Sequence, residues 1–153
     1  MQDKNPTPIL PLTWKTHESG DVDGCRVKAA GPVTVEIRPA TEYGPAYQVA
    51  RPAAGSLMIH EDRGDWGTCL IDPWKDGHRH GLTVGNADGT LTYLASCNTW
   101  KAAQFAGAAV AAGYDLTNPD DLAEVRRQYR AAESARRSRA FDKKHGLTTL
   151  VTR

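Results

Sequence analysis

The chain has 153 residues, an apolar content of 40% and nearly balanced charge, with 19 Lys or Arg against 18 Asp or Glu. This length is enough for one globular domain with a buried core, so the fold needs no metal or disulfide to hold it together. The cysteines lie outside any Cys-x-x-Cys pair, which argues against a zinc ribbon or a disulfide framework. We expect small, reduced core residues at Cys25, Cys69 and Cys97.

The N-terminal segment lacks the continuous apolar run of a signal peptide, and no stretch approaches the roughly 18 apolar residues of a membrane span. We therefore expect a cytoplasmic location and no membrane partner. Residues 1–12 contain three prolines, which predict an extended or disordered arm. An α+β core is expected over residues 13–117, followed by a C-terminal helical region over residues 118–153.

Short runs of β-branched and aromatic residues, separated by turn residues, predict a mainly antiparallel sheet of about five or six strands. Val33, Val35 and Ile37 alternate with polar residues, which is the pattern of a half-buried strand. The sequence from Asn86 to Gly89 predicts a hairpin turn, because Asn, Asp and Gly tolerate positive φ. The predicted strands cover residues 25–29, 33–38, 46–51, 56–60, 67–71, 81–84 and 90–95.

Two helices are predicted after the sheet. Asn98 is expected to cap an Ala-rich helix over residues 99–112, which packs its small side chains on the sheet and ends at Gly113. Asn118, followed by a proline and two acids, predicts the start of a second helix that runs to about His145.

Positive charge is concentrated in this second helix and the residues after it. Residues 126–153 hold nine Lys or Arg against two acids, whereas residues 1–125 hold ten against sixteen, so a basic end follows an acidic body. An apolar stripe predicts docking of the first half of the helix and consists of Leu122, Val125, Tyr129 and Ala132. Beyond the stripe, cations lie nearly all round, so the helix should project or be ordered by something negative.

These cations are the main candidate binding residues. Lys or Arg placed against phosphates releases counterions, and Arg forms bidentate contacts with phosphate or guanine, so the leading hypothesis is a non-enzymatic nucleic-acid-binding protein. An acidic protein partner, or a solvated helix end neutralised by the acidic body, would explain the same charges. The candidate contact residues are Arg126, Arg127, Arg130, Arg136, Arg137, Arg139, Lys143 and Lys144.

A second group of polar and aromatic residues surrounds Trp74. Trp74 beside Lys75 and Arg79 combines a stacking surface with cations, as contacts to single-stranded nucleic acid require, although burial of Trp74 as a core anchor is the favoured interpretation. His78 and His80 lie two residues apart and, with nearby Asp, would suit a metal-dependent phosphodiesterase. The simpler interpretation of this segment is a polar hairpin loop.

The sequence contains no phosphate-binding loop, dinucleotide fingerprint, serine nucleophile elbow or HExxH helix, so we expect neither enzymatic activity nor a cofactor or metal. The alternative function is a protein-interaction module or inhibitor that acts through the acidic α+β body. The small size and the Ala- and Arg-rich residue choice suggest an accessory protein of a phage or mobile element. Oligomeric state and the choice between DNA and RNA stay open.

Overall fold

The computed structural model of the protein describes residues 6–22, 25–61 and 80–146. Within these ranges, seven strands precede two helices, and the predicted α+β class is confirmed. The predicted strand over residues 67–71 lies outside the described residues. The elements are β1 (Lys15–Glu18), β2 (Arg26–Ala30), β3 (Val33–Arg38), β4 (Tyr47–Pro52), β5 (Leu57–Glu61), β6 (His80–Gly85), β7 (Leu91–Cys97), α1 (Trp100–Ala111) and α2 (Pro119–Lys144).

The main sheet is antiparallel, with its five strands in the order β1-β2-β5-β6-β7. Its last hairpin closes at the predicted turn, where the Asn86 N–H donates to the Thr90 carbonyl at 2.8 Å. Gly89 has φ of 85°, a left-handed conformation that favours glycine, so this turn prediction is confirmed.

The strand pattern of the sequence does not predict β1. Its four residues, Lys-Thr-His-Glu, show no apolar alternation, and all except His17 are exposed. Strand β1 forms one edge of the sheet and pairs only with β2 among the described elements. Edge strands bury little, so their sequences carry a weak strand pattern.

Helix α1 packs on one face of the main sheet through its small residues, as predicted. Ala103 and Ala106 are fully buried in one cluster with Ile59 of β5 and Leu82 of β6. Gly107 lies so close to Trp14 that an added Cβ would be 2.7 Å from the indole ring. The absence of side-chain bulk along this face brings the helix against the sheet.

The N-cap of α1 lies one residue later than predicted. The Thr99 hydroxyl oxygen accepts a hydrogen bond from the Ala102 N–H at 3.1 Å and so caps the helix. Asn98 lies one residue before the cap, and its backbone carbonyl contacts the Nδ1 atom of His80 at 3.1 Å, at the end of the sheet. The predicted helix end is confirmed by Gly113, which has φ of 100°.

A separate two-stranded sheet, β3 and β4, covers part of the opposite face. Ala50 of β4 joins a second buried cluster with Val27 and Ala29 of β2 and Met58 of β5. The domain is therefore layered, with helix α1, the five-stranded sheet and the β3–β4 hairpin stacked in that order.

The alternating apolar residues of β3 are not buried as predicted. Val35 is 52% exposed and Ile37 is 63% exposed, and only Val33, at the base of the hairpin, packs partly against the second cluster. Val35 stands opposite the buried Ala50, so β4 lies over the main sheet while β3 lies beside β4 and stays exposed. The alternation predicts the strand correctly but not what covers it.

The cysteines divide between two environments. Cys97 is fully buried in the main core, as expected, whereas Cys25 is exposed and has φ of 54°, which corrects its prediction as a core residue. Its position in the turn before β2 explains the difference, because the buried positions of that strand begin at Val27. Cys69 lies outside the described residues.

Candidate nucleic-acid interface

Helix α2 begins where the sequence predicts. The Asn118 side chain accepts hydrogen bonds from the N–H groups of Asp120 and Asp121 at 2.9 and 3.2 Å, and Pro119 occupies the first helical turn. The two acids lie at the positive end of the helix dipole. The helix ends before Gly146, which has φ of 67°, so its predicted length is confirmed as well.

The first part of α2, residues 119–133, packs on the body and is called the docked half. Val125 is fully buried, and the ring of Tyr129 meets Phe105 of α1 edge-on with 5.2 Å between ring centroids. Leu122 is half-buried beside them. The apolar stripe therefore fixes the start of the helix against α1, as predicted.

The proline-rich arm lies along the docked half in an extended conformation. The Gln128 side chain accepts a hydrogen bond from the Ile9 N–H at 2.9 Å and donates to the Thr7 carbonyl at 3.0 Å. The Tyr114 hydroxyl also donates to the Thr7 carbonyl, while Ile9 and Leu12 pack against the main core. The arm thus fastens the docked half to the rest of the domain.

Glu133 marks the end of the docked half. One of its carboxylate oxygens lies 3.0 Å from the guanidinium of Arg136, and the other lies 2.7 Å from the ammonium of Lys101 on α1. The hydrogen bonds from Arg136 and Lys101 lower the pKa of Glu133 to about 2. Among the described residues, Glu133 is the most C-terminal residue of α2 that forms an ion pair with α1.

The remainder of the helix, residues 134–144, is called the distal half. It contains five Lys or Arg and one Asp, and its side chains are exposed apart from the partly covered Asp142. At 1.5 Å per residue it extends for about 16 Å beyond Glu133. This exposure is consistent with the predicted projection of the helix, which stays a prediction.

The cations lie on opposite sides of the distal half. At 100° per residue, Arg137 and Lys144 share one side, with Arg130 a few turns earlier on the same line. Arg139 and Lys143 face the other side. Within the described ranges, none of these five side chains has an ion-pair partner.

The remaining predicted cations of α2 already interact with neighbouring groups of the protein. Arg127 forms a paired hydrogen bond with Glu124, with both contacts at 2.7 Å, and this contact lowers the pKa of Glu124. Arg126 is half-buried and has interactions of its own. Arg136 is joined to Glu133. The cations of the distal half are therefore the more available part of the predicted set.

One aromatic residue of the distal half was not among the residues that the charge pattern predicts. Phe141 is 56% exposed, and its ring lies 4.1 Å from the ring of His145, centroid to centroid. An aromatic residue four positions before a histidine on a helix predicts such ring contact. The pair places a flat apolar surface among the cations.

The loop residues Trp74, Lys75 and Arg79 lie outside the described residues, as does His78, so their predicted contacts remain predictions. His80 is described, and it is buried in β6, with its ring 4.7 Å from that of Trp100. Over residues 6–22, 25–61 and 80–146, no three His, Cys, Asp or Glu side chains are grouped as metal ligands.

No protein-family model, curated protein or solved structure matches the chain. Neither α1 nor α2 has the length and apolar character that crossing a bilayer requires.

Proposed function

We propose that this chain is a non-enzymatic, cytoplasmic nucleic-acid-binding accessory protein whose contact surface is the distal half of α2. The observation that supports the proposal is the placement of charge, because five basic side chains surround an exposed helix that carries one acid. Cations set against phosphates release condensed counterions, and this release supplies most of the sequence-independent affinity for nucleic acid.

The ion pairs of the acidic body argue against neutralisation of the helix end by that body. Asp21 pairs with Arg51 at 2.9 Å, and Glu124 pairs with Arg127 of the docked half. Among the described residues, no carboxylate of the body is paired with Arg137 or Arg139. The distal cations other than Arg136, which pairs with Glu133, are therefore available to an anion from outside the chain.

The two-sided distribution of the cations favours nucleic acid over an acidic protein partner. A groove of duplex nucleic acid has phosphates on both walls, and the major groove of B-DNA, about 12 Å wide, admits an α-helix. A protein surface would contact one side of the helix, so the cations opposite would contribute little. Phe141 adds a surface on which an unpaired base could stack.

The test is binding of the purified, nuclease-treated protein to labelled duplex DNA, single-stranded DNA and RNA across a salt series. The double variant R137Q/R139Q removes one cation from each side of the distal half and touches no described ion pair. We expect weaker binding and a salt slope, log affinity against log salt, that is shallower by about 2. Comparing the three ligands ranks DNA against RNA.

The matched control is K15Q/R26Q, which removes the same charge from exposed positions on β1 and β2. Its salt slope should equal that of the unsubstituted protein. Deletion of residues 134–153 should abolish binding while leaving the body folded by circular dichroism. A truncated protein that bound with an unchanged slope would overturn the proposal, and absence of binding at low salt would favour the alternative function, a protein-interaction module.

A further inference from the structure

Strand β3 has an outer edge with no strand partner in the described part of the chain. It pairs with β4 on one side only, and the main sheet does not extend to it. Pro32 and Pro39 flank it, so six consecutive residues form the available edge. Val35 and Ile37 are more than half exposed on this edge. Native proteins usually cover or interrupt such an edge, because it is a template for another strand.

The hydrogen bonds of the hairpin fix which backbone groups of β3 point outward. The Pro32 carbonyl accepts a hydrogen bond from the Ala53 N–H at 3.0 Å, so the 32–53 position is a hydrogen-bonded pair. Such pairs alternate along an antiparallel ladder, and those of β3 then fall at Thr34, Glu36 and Arg38. The N–H and C=O groups of the intervening residues therefore point away from β4.

Two contacts on the far side of β4 confirm this alternation. The Gln48 carbonyl accepts from the Gly20 N–H at 2.7 Å, and the Ala50 N–H donates to the Ser19 hydroxyl at 3.1 Å. Both residues stand opposite β3 positions with outward-pointing groups. On β3 the outward-pointing residues are the three that also carry the apolar side chains: Val33, Val35 and Ile37.

We propose that two copies of this chain associate by antiparallel pairing of β3 with β3, on a two-fold axis at Val35. In this register Val35 faces Val35 of the second copy, and Val33 faces its Ile37. Each of these pairs exchanges backbone N–H···O bonds in both directions and sets apolar side chains opposite each other on one face. Thr34 faces Glu36 of the second copy, so no like charges meet.

The neighbouring registers are less favourable. A two-fold axis at Glu36 places two carboxylates directly opposite each other, which is destabilising in a sheet. An axis at Ile37 sets Val35 against Pro39, which has no N–H to donate. The axis at Val35 pairs the outward-pointing donors with acceptors, sets apolar side chains opposite each other and places no like charges face to face. The result is a continuous four-stranded sheet with the symmetry of an isologous dimer.

The experiment is sedimentation equilibrium of the nuclease-treated full chain over a concentration series. The unsubstituted protein should show a reversible monomer–dimer equilibrium. The variants V35K and V35E each place like charges at the two-fold axis, so each should weaken the dimer roughly tenfold or more. Mixing V35K with V35E places opposite charges at the axis and should restore the dimer. V35T, which keeps a β-branched residue without charge, is the control and should remain dimeric.

A chain that stays monomeric at every concentration would overturn the proposal. So would a dimer that V35K leaves unchanged, or a mixture of V35K and V35E that shows no dimer although each variant is folded by circular dichroism. Amide hydrogen exchange gives a second readout. Protection of the Val35 N–H should rise with protein concentration in the unsubstituted chain and stay low in V35K.

Discussion

At the scale of single residues, Glu133 is the charge on which the junction between the two halves of α2 depends. Its carboxylate joins Lys101 of α1 to Arg136, and its pKa lies at about 2, below the ordinary value of 4.5. A carboxyl whose pKa is lowered by folding adds stability when it is ionised. That contribution is complete above pH 4.5 and is lost as the pH falls toward 2.

We therefore expect E133Q to lower the free energy of unfolding at pH 7 by about 1 kcal/mol, the scale of a partly exposed ion pair. The difference from the unsubstituted protein should shrink as the pH falls from 4.5 toward 2, because Glu133 becomes increasingly protonated and loses the charge that Gln lacks. Denaturant unfolding at a series of pH values measures this difference in the free energy of unfolding. The control is Glu42→Gln, at an exposed position. A difference that did not change with pH would contradict the assigned ion pair.

A substitution at Gly85 tests the packing between the main sheet and the β4–β5 connection. Its N–H donates to the Ser56 carbonyl at 3.0 Å, and an added Cβ would lie 2.5 Å from the Pro52 carbonyl oxygen and closer still to that of Ala53. These are backbone atoms, and the Ala53 carbonyl is held by a hydrogen bond from the Ser56 N–H at 2.9 Å, so they cannot move aside as the end of a flexible side chain could. We expect G85A to lower the free energy of unfolding by about 1–3 kcal/mol.

The matched control is G44A, since an added Cβ at Gly44 meets no atom within 4 Å and the residue lies at an exposed turn. Thermal unfolding of both variants, followed by circular dichroism, gives the comparison. Equal melting temperatures for G85A and G44A would mean that the β4–β5 connection lies further from β6 than the structure places it.

At the scale of elements, the ends of α2 follow from sequence because they depend on neighbours in the chain. Asn118 caps the helix through N–H groups two and three residues away, and Gly146 ends it through its own backbone. The burial of β3 does not follow from sequence, because alternating Val and Ile describe a strand with one apolar face but not what covers that face. Strand β1, which buries almost nothing, has no pattern to find.

The two halves of α2 should differ in backbone protection. The docked half is held by Val125 and Tyr129, whereas the side chains of the distal half are exposed apart from the partly covered Asp142, so this half should open readily. In amide hydrogen exchange we expect the distal half to exchange much faster in the unbound protein and to become protected when duplex DNA is added. R137Q/R139Q should reduce that protection.

K15Q/R26Q, which carries the same charge change on the sheet, should gain protection in the distal half as the unsubstituted chain does. If DNA instead protected the strands and left residues 134–144 unchanged, the contact surface would lie on the body and the assignment of the basic helix would be wrong.

At the scale of the whole molecule, the sequence predicts the α+β class, the order of sheet and helices, and the docked and projecting parts of α2. It does not predict that the N-terminal arm is hydrogen-bonded to α2. Ile9 and Gln128 are 119 positions apart in the chain, and their hydrogen bond depends on the folded arrangement of the arm and α2. For the same reason the stacking of the β3–β4 hairpin on the main sheet cannot be predicted from the sequences of its strands.

Because the distal half is exposed, its charge can change with little effect on the stability of the fold. Residues that pack in a core cannot change without a cost to folding, but exposed helical positions usually alter stability by no more than about 0.5 kcal/mol. Placing an arginine at Ser138, or removing the one at Arg137, would therefore adjust the strength of the proposed anion binding while the body keeps its fold. In such a chain, selection could tune affinity one charge at a time.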